Sequence, residues 1–346
     1  MKMMRGLVVM ALLAACGKTT IAQLHLAASQ PVPPDQACAT PPCPVVMVDK
    51  QEAAYALAID SNNVYWTTLV GGTVMQAPLT SEAATAAPIT LATGQTSPFA
   101  IAVNFEAVYW ANEAPAGQTT PIVAGKGTVT GVIIGNSAAT PIADTQSFPV
   151  FAIAAGVSNV FWPASNGNIF ADVLEGGKPQ QIGSGLKAPS AIAIDAKNFY
   201  VTSAGTGKND GVVQKNTYTY LNSKYTIGKT PVVIAAGRNK ASALAVDFTD
   251  AYWIEPGTIL KATLDGSAAA SPTTLLTAGT PFALAIDASH VYWTDTAAGT
   301  ICQAPLAGGN PVILASGQAS PISIAVDAAN VYWTTSGAVM RISLSK

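Results

Sequence analysis

The chain ends on SIAVDAANVYWTTSGAVMRISLSK, residues 323–346, and a longer version of the same pattern, ALAIDASHVYWTDTAAGTICQAPLAGGNPVILASG, occupies residues 283–317. The last copy stops before the segment that continues the earlier one as PVILASG. The missing piece is at the other end of the body. There, PVVMVDKQEAAYALAID (44–60) matches PVILASGQASPISIAVD (311–327) over seventeen positions without a gap. A strand near Val45–Val48 is therefore expected to pair beside Ala338–Leu344, so that the two ends of the body share one sheet.

Self-similarity at a fixed period decides the architecture before any local propensity does. The marker is an aromatic pair that closes at Trp66, Trp110, Trp162, Val201, Trp253, Trp293 and Trp333, in steps of 44, 52, 39, 52, 40 and 40 residues. Inside each copy, the six-residue step to the marker from Asp60, Asn104, Gly156, Asp195, Asp247, Asp287 or Asp327 never varies. A constant inner spacing with variable outer spacing describes a rigid hairpin joined by tolerant loops. The sixth copy supplies four β-like runs, Ala283–Asp287, Val291–Thr294, Thr300–Leu306 and Pro311–Ala315, separated by Gly, Pro, Asn and Asp turns. The expected fold is all-β: a seven-bladed β-propeller of four-stranded antiparallel blades over residues 44–346, its ring closed by an N-terminal strand in the last blade.

The repeat also explains its own polar residues. The first-position Asp should cap its turn through backbone N–H groups. The fourth position (Asn63, Ala107, Asn159, Asn198, Asp250, His290, Asn330) carries types favoured at positive φ. His290 is then a turn residue and not a base. The innermost runs alternate Ala56 and Ala58 with Leu57 and Ile59, so Ala should fit the crowded side and Leu and Ile the gap to the neighbouring blade. The Tyr-Trp pairs should point to opposite blade faces as core.

Composition narrows the function classes. Charged residues are 10% of the chain and the formal charge is −2, with no basic stripe, which argues against a nucleic-acid partner. The N-terminus, MKMMRGLVVMALLAACGK, has a positive start and an apolar core from Leu7 to Ala15, too short to span a bilayer. Residues 1–15 read as an export signal. Leu13-Ala14-Ala15-Cys16 resembles the bacterial lipobox, which implies a mature N-terminus at Cys16 bearing acyl chains, palmitate among them. Residues 16–43 then form a tether, and the only membrane contact expected is through that anchor. Gly17 after the cysteine, by resemblance to enterobacterial sorting, points to the outer membrane of the cell envelope. In an oxidising compartment Cys38 and Cys43 of CATPPC are placed for a small disulfide loop, with two free thiols as the alternative. Cys302 takes a position held elsewhere by Met75 and Met340 and reads as a small buried hydrophobe.

Tyr292-Trp293-Thr294-Asp295, within residues 279–309, resembles the YWTD repeat of the low-density-lipoprotein-receptor class B type. The other copies read YWTT, YWAN, FWPA, YVTS, YWIE and YWTT. The resemblance implies a propeller whose loop-bearing face binds proteins, although those receptors have six blades and this chain has seven. The repeat is also similar to NHL and strictosidine-synthase-like propellers and to predicted propeller lipoproteins of myxobacteria. Virginiamycin-lyase-like propellers use a histidine base, for which this chain offers only His25 and His290. Lactonase-like propellers hold Ca²⁺ in the channel on acidic and amide oxygens. Here the positions two residues past each marker are Thr68, Asn112, Ala164, Ser203, Glu255, Asp295 and Thr335; the two carboxylates, Glu255 and Asp295 on adjacent blades, are too few for a metal site and read rather as loop residues. The expected role is a monomeric, non-enzymatic module without a cofactor that binds a protein, glycan or small ligand at one rim. A Ca²⁺-dependent hydrolase or lactonase is the alternative. The rim candidates are Gln95, Gln146, Lys187, Arg238, Asn239, Lys240 and Gln318, at loops entering the inner strands, with Glu255 and Asp295 beside them. Two insertions, residues 111–127 and 203–230, depart from the repeat. The second sets Tyr218, Tyr220 and Tyr225 beside Lys215, Lys224 and Lys229, either as a contact patch or as a hairpin packed on a neighbouring blade.

Overall fold

The computed structural model describes residues 42–80, 87–112, 127–136, 139–146 (backbone alone from 143), 150–173, 178–269 and 271–344. Cys16, Cys38 and most of the insertion at 111–127 lie outside these residues. Cys43 is disulfide-bonded. Among the described residues, twenty-nine strands form seven antiparallel sheets, and there is no helix. Each sheet is one blade, and the protein is a seven-bladed β-propeller.

The sixth blade shows the common plan, with Pro281–Ile286 innermost, then His290–Asp295, Thr300–Pro305 and Val312–Ala315 outermost. The seventh has only three strands of its own, Ile324–Val326, Asn330–Thr334 and Val339–Ser343; Val45–Val48 supplies the fourth, with Val46 opposite Met340. Ring closure thus follows the gapless match in the sequence. The seam is held sideways as well. The Thr334 hydroxyl donates to the Tyr55 carbonyl at 2.6 Å, Ser323 Oγ accepts the Leu57 N–H at 3.1 Å, and Arg341 donates to the Leu79 carbonyl at 2.7 Å.

The core consists of seven clusters, one at each junction between blades. Ala56 and Tyr65 of the first blade meet Ile101 and Trp110 of the second, whereas Leu57 and Trp66 of the first meet Ala325 and Tyr332 of the seventh. The small residue of each inner strand therefore faces the following blade and the large one faces the preceding blade. This refines the sequence expectation: both sides of the inner strand bear on neighbours, and Ala leaves room for the facing indole. Trp66, Trp110, Trp253 and Trp333 are completely buried. Burying an aromatic side chain of 150–250 Å² contributes roughly 4–6 kcal/mol at ~25 cal/mol per Å².

Most inner strands carry a bulge, for example between Ala54 and Leu57 and between Pro281 and Leu284. A bulge frees an N–H from the ladder, and a buried threonine accepts it: Thr67 Oγ1 from Ala56 at 3.1 Å and Thr294 Oγ1 from Ala283 at 3.1 Å.

The fourth blade departs from the plan. Its third strand, Gly211–Leu221, is eleven residues long; the first half pairs with Val232–Arg238 and the second forms a hairpin with Lys224–Ile227. That hairpin leans on the third blade. Tyr218 and Tyr225 are buried against Phe161, with ring centroids 4.9 and 5.9 Å from it. Of the two sequence readings of these tyrosines, packing on a neighbour is the one realised for Tyr218 and Tyr225.

Met47 sits at the closure with no exposed surface. Met47→Ala is expected to lower unfolding stability by about 2–5 kcal/mol, whereas Val70→Ala, at a half-exposed position, should change it by less than ~0.5 kcal/mol. Paired urea titrations measure both, and equal midpoints for the two variants would show that the closing strand does not hold the ring.

Candidate functional site

Antiparallel pairing puts the turns between first and second strands at one end of the ring, and the loops entering each first strand at the other. At the first end, Asp60 Oδ1 accepts the N–H groups of Asn62 and Asn63, both at 2.7 Å, as the sequence motif requires. The sequence did not reveal the use of Oδ2. It accepts the tyrosine hydroxyl five residues on, in Tyr65–Asp60 (2.7 Å), Tyr200–Asp195 (2.6 Å), Tyr252–Asp247 (2.9 Å), Tyr292–Asp287 (2.7 Å) and Tyr332–Asp327 (2.8 Å). Each carboxylate thereby holds a turn and the top of an aromatic wall. The expectation of positive φ at the fourth position is corrected: Asn63, Asn198, His290 and Asn330 are not among the left-handed residues, which include Ala53, Ser97, Ala188 and Ser320 just before inner strands. The Asp oxygen closes the turn without left-handed backbone. His290 donates its N–H to Asp287, and its Nδ1 lies 2.8 Å from Ser289 Oγ.

Burial alone would raise Asp247, but N–H groups of Asp250 and Thr249 and the Tyr252 hydroxyl hold it below the usual carboxylate range. Asp195 and Asp287 are lowered in the same way, with their tyrosines leading the opposition to burial. The tyrosines move the other way. Burial, then the hydrogen bond to Asp247 and its charge, push Tyr252 up, and burial raises Tyr109 to about 12.

The opposite end holds the sequence candidates, and there the loops are pinned. Gln95 Oε1 accepts the Trp110 indole N–H at 2.7 Å and the Asn112 amide at 2.9 Å; Gln318 Oε1 accepts the Trp333 indole at 2.9 Å, as Gln51 does for Trp66. Their amide groups donate to Thr93 and Ser316 carbonyls. Gln95 and Gln318 are thus engaged with the wall. Gln146 ends the strand Thr140–Gln146, and its side chain lies outside the described residues. The loops also interlock through backbone: the Gln318 N–H donates to the Gly299 carbonyl at 2.9 Å, and a Cβ on Gly299 (φ +65°) would lie 2.7 Å from the Gln318 carbonyl oxygen.

The charged candidates gather over the fourth and fifth blades. Lys187 pairs with Asp210 at 3.0 Å, and Arg238 with Glu255 at 3.4 Å. Hydrogen bonds from Thr206 first, then Lys187, hold Asp210 below the usual carboxylate range. Glu255 also accepts the Trp253 indole at 3.1 Å, the role that glutamine plays in other blades. Lys240 is exposed with φ +58°, and the adjacent Asn239 Oδ1 is buried without a hydrogen-bond partner. Asp295 belongs to a different arrangement. Burial would raise it, but the hydroxyl and N–H of Thr280, with the Ala298 N–H, hold it down. Glu255 is engaged by Arg238, at the end of blade four's outer strand, and by Trp253 of its own blade, and Asp295 by its own blade's loops; no group of three potential ligands among His, Cys, Asp and Glu occurs among the described residues.

Sequence reasoning passed over two features. One is the junction of blades three and four, where Asp and Tyr are both replaced, by Gly156 and Phe161. There the hairpin tyrosines bring hydroxyls to Asn159, Asp172 and Asp195. The other is the tips of the acidic turns: Phe105, Val157 and Phe248 are 68%, 64% and 92% exposed where sister blades have Ser61, Ala288 and Ala328. An apolar residue at the second turn position was the available signal.

No family model matches the chain, and no match is found among the curated proteins. Solved structures do match it. Virginiamycin B lyase from Staphylococcus aureus superposes with a TM-score of 0.63 at 12% identity, covering 88% of this chain and 99% of that one. The WD40 β-propeller domain of Doa1 gives 0.63 at 12% identity over 88% and 98%. The computationally designed Ika8 protein gives 0.59 at 13% over 87% and 100%. These likenesses establish the propeller fold.

The Asp–Tyr pairs set a pH window. A depressed Asp contributes stability that is complete above ~4, its unfolded value, and lost as pH falls through the folded value. A raised Tyr contributes stability that is complete below ~10 and lost as pH rises toward the folded value. Asp172, raised by burial, works against the acid limb. Thermal melting from pH 3 to 12 should therefore give a plateau between about 5 and 9 with a fall on both sides. Tyr252→Phe should lower the plateau by roughly 1.5–3 kcal/mol and flatten the alkaline fall. An unchanged alkaline limb would show that the hydroxyl is not held by Asp247.

Proposed function

We propose that the chain is an exported bacterial lipoprotein, anchored through Cys16 at the outer membrane, whose propeller is a non-enzymatic binding module using the loop-bearing mouth over blades four and five. The propeller fold and the YWTD-like repeat support a binding module in general. The observation that carries the choice of sector is the grouping of Lys187, Asp210, Arg238, Lys240 and Glu255 on loops whose backbone is pinned, the Gly205 N–H to the Lys187 carbonyl and the Lys240 N–H to the Ala204 carbonyl. Rigid, charged loops recognise a polar partner, a protein, glycan or small ligand, at little ordering cost.

Enzymatic readings find less support. A histidine-to-alanine variant of the Staphylococcus aureus lyase is catalytically inactive. In this chain His290 is bonded into its turn, and His25 lies outside the described residues. A channel Ca²⁺ would need ligands beyond Glu255 and Asp295, which Arg238 and Trp253, and Thr280 and Ala298, already engage.

Three measurements test the proposal. Palmitate labelling in cells should depend on Cys16 and vanish in Cys16→Ser. A photo-crosslinker at Lys187 or Lys240 should form a discrete adduct that Arg238→Glu weakens, with none at Val312 on the outer blade edge. A melting midpoint that rises with millimolar Ca²⁺, by the mass-action stabilisation of a bound ligand, would favour the metal-dependent hydrolase instead. Adducts independent of position would remove the assigned sector.

A further inference from the structure

No run of basic residues marks the sequence, yet positive charge is segregated in space. Residues 178–240, which span the outer strand of blade three and all of blade four, hold nine of the chain's seventeen Lys and Arg residues and only two of its nineteen Asp and Glu. Lys187 and Arg238 are paired at the mouth. Four other lysines gather at the opposite end, around the long hairpin of blade four. Lys224 lies on the hairpin, the Lys197 carbonyl accepts the Tyr218 N–H at its base, and Lys229 follows Gly228, whose N–H donates to the Thr217 carbonyl. Lys178 stands two residues before Gln180, whose side chain accepts the Tyr225 N–H at 3.1 Å and donates to the Ser223 carbonyl at 2.9 Å. All four are exposed, and among the described residues none of them is in an ion pair. The carboxylate of blade four's own turn, Asp195, is engaged by Tyr200, Asn198 and two backbone N–H groups, and the turn of blade three, Gly156 to Asn159, has none.

The hairpin has two unlike faces. Tyr218, Tyr220 and Tyr225 turn toward blade three, so the pairs Thr219–Thr226 and Leu221–Lys224 form the open face, with both threonines exposed. Asn222 and Ser223, both left-handed, close it in the two-residue turn that suits strand twist, and the face is held rigid. We infer that this open face binds a linear acidic polysaccharide, its carboxylates or sulfates meeting the lysines and its hydroxyls the threonines. The kind of basic residue argues for such a polymer over a folded protein. Lysine is depleted in protein interfaces, whereas a compact point charge on a flexible stem suits a chain of regularly spaced anions. Nucleic acid would need aromatic faces on which bases stack, and those of the hairpin are turned toward blade three. An anionic bilayer would press against the neighbouring turn carboxylates Asp195, Asp247 and Asp250 as well, but a single polymer strand follows the lysines alone. The site is separate from the loop-bearing mouth and depends on neither the mouth's partner nor the lipid anchor.

Titration of the full chain with alginate, a polyuronate, tests the inference, with neutral dextran, polyglutamate and oligodeoxythymidylate as comparisons. Alginate should bind and dextran should not, and the affinity should fall with salt as counterions are released. The triple variant Lys197→Glu, Lys224→Glu and Lys229→Glu should lose at least ~10-fold in affinity, with an unchanged melting temperature because all three side chains are exposed. Thr219→Val with Thr226→Val, which keeps the strands' β-branched character, should weaken alginate by roughly 3-fold or more and leave polyglutamate unaffected. Arg238→Glu at the mouth should bind alginate as the parent does. The inference is overturned by no binding at millimolar uronate, by binding that the triple variant retains, or by a threonine variant with unaltered alginate affinity. It is equally overturned if polyglutamate or oligodeoxythymidylate binds more tightly than alginate at equal charge, or if Arg238→Glu abolishes binding. Loss of the crosslinked adduct at Lys187 or Lys240 with alginate binding intact would remove the mouth's assigned role and leave this site standing.

Discussion

Closing a ring requires every junction between blades to have the same wedge shape, and here the wedge is made by two unlike faces of one strand pair. One face presents Ala and Tyr, the other Leu or Ile and Trp, so each blade offers to its successor the complement of what it offers to its predecessor. The arrangement is heterologous, and a heterologous contact ends only when rotation brings the last unit back to the first. Seven repeats of this wedge meet that condition, and the strand Val45–Val48 seals it with backbone hydrogen bonds. The buried Trp and the Asp-bound Tyr fix the spacing; the loops at either end inherit their positions from it.

Where the wedge changes composition, the changes compensate one another. The junction of blades three and four lacks the acidic residue, the tyrosine hydroxyl and the tryptophan at once, through Gly156, Phe161 and Val201. A Cβ on Gly156 would come within 2.9 Å of Ile194 Cδ1, so the bulkier inner residue of the fourth blade occupies the space of the missing side chain. Tyr218 and Tyr225 of the long hairpin then fill the outer part and restore hydroxyls to the turn. The insertion in blade four, conspicuous in the sequence as a departure, therefore completes the scaffold at the place where the repeat is weakest.

The two ends of the ring divide the remaining polar groups. Carboxylates at the turn end are consumed by shape, each between two N–H groups and a phenol, which leaves apolar tips as the variable feature there. At the mouth, glutamine is consumed in blades one, two and seven by the indoles. Over blades four and five, where Leu186 and Arg238 stand at the position of that glutamine, charged groups pair with one another instead. Variation appears where the wall no longer dictates the residue.

Repeat number, blade plan and closure were legible because they depend on spacing, and spacing survives in a linear text: the match of residues 44–60 to 311–327 contains the seventh blade's composition outright. The turn role of Asp60 and its sisters was legible for the same reason, being local. The second partner of each carboxylate, the destination of Gln95 and Gln318, and the packing of Tyr218 and Tyr225 across a blade boundary were not, because they join residues whose separation along the chain says nothing about distance. The sequence by itself determined how many units form and how they connect. Tertiary structure alone decided which polar atoms the wall uses and which it leaves open, since hydrogen bonding depends on angles and ångström distances that arise only once neighbouring blades are in place.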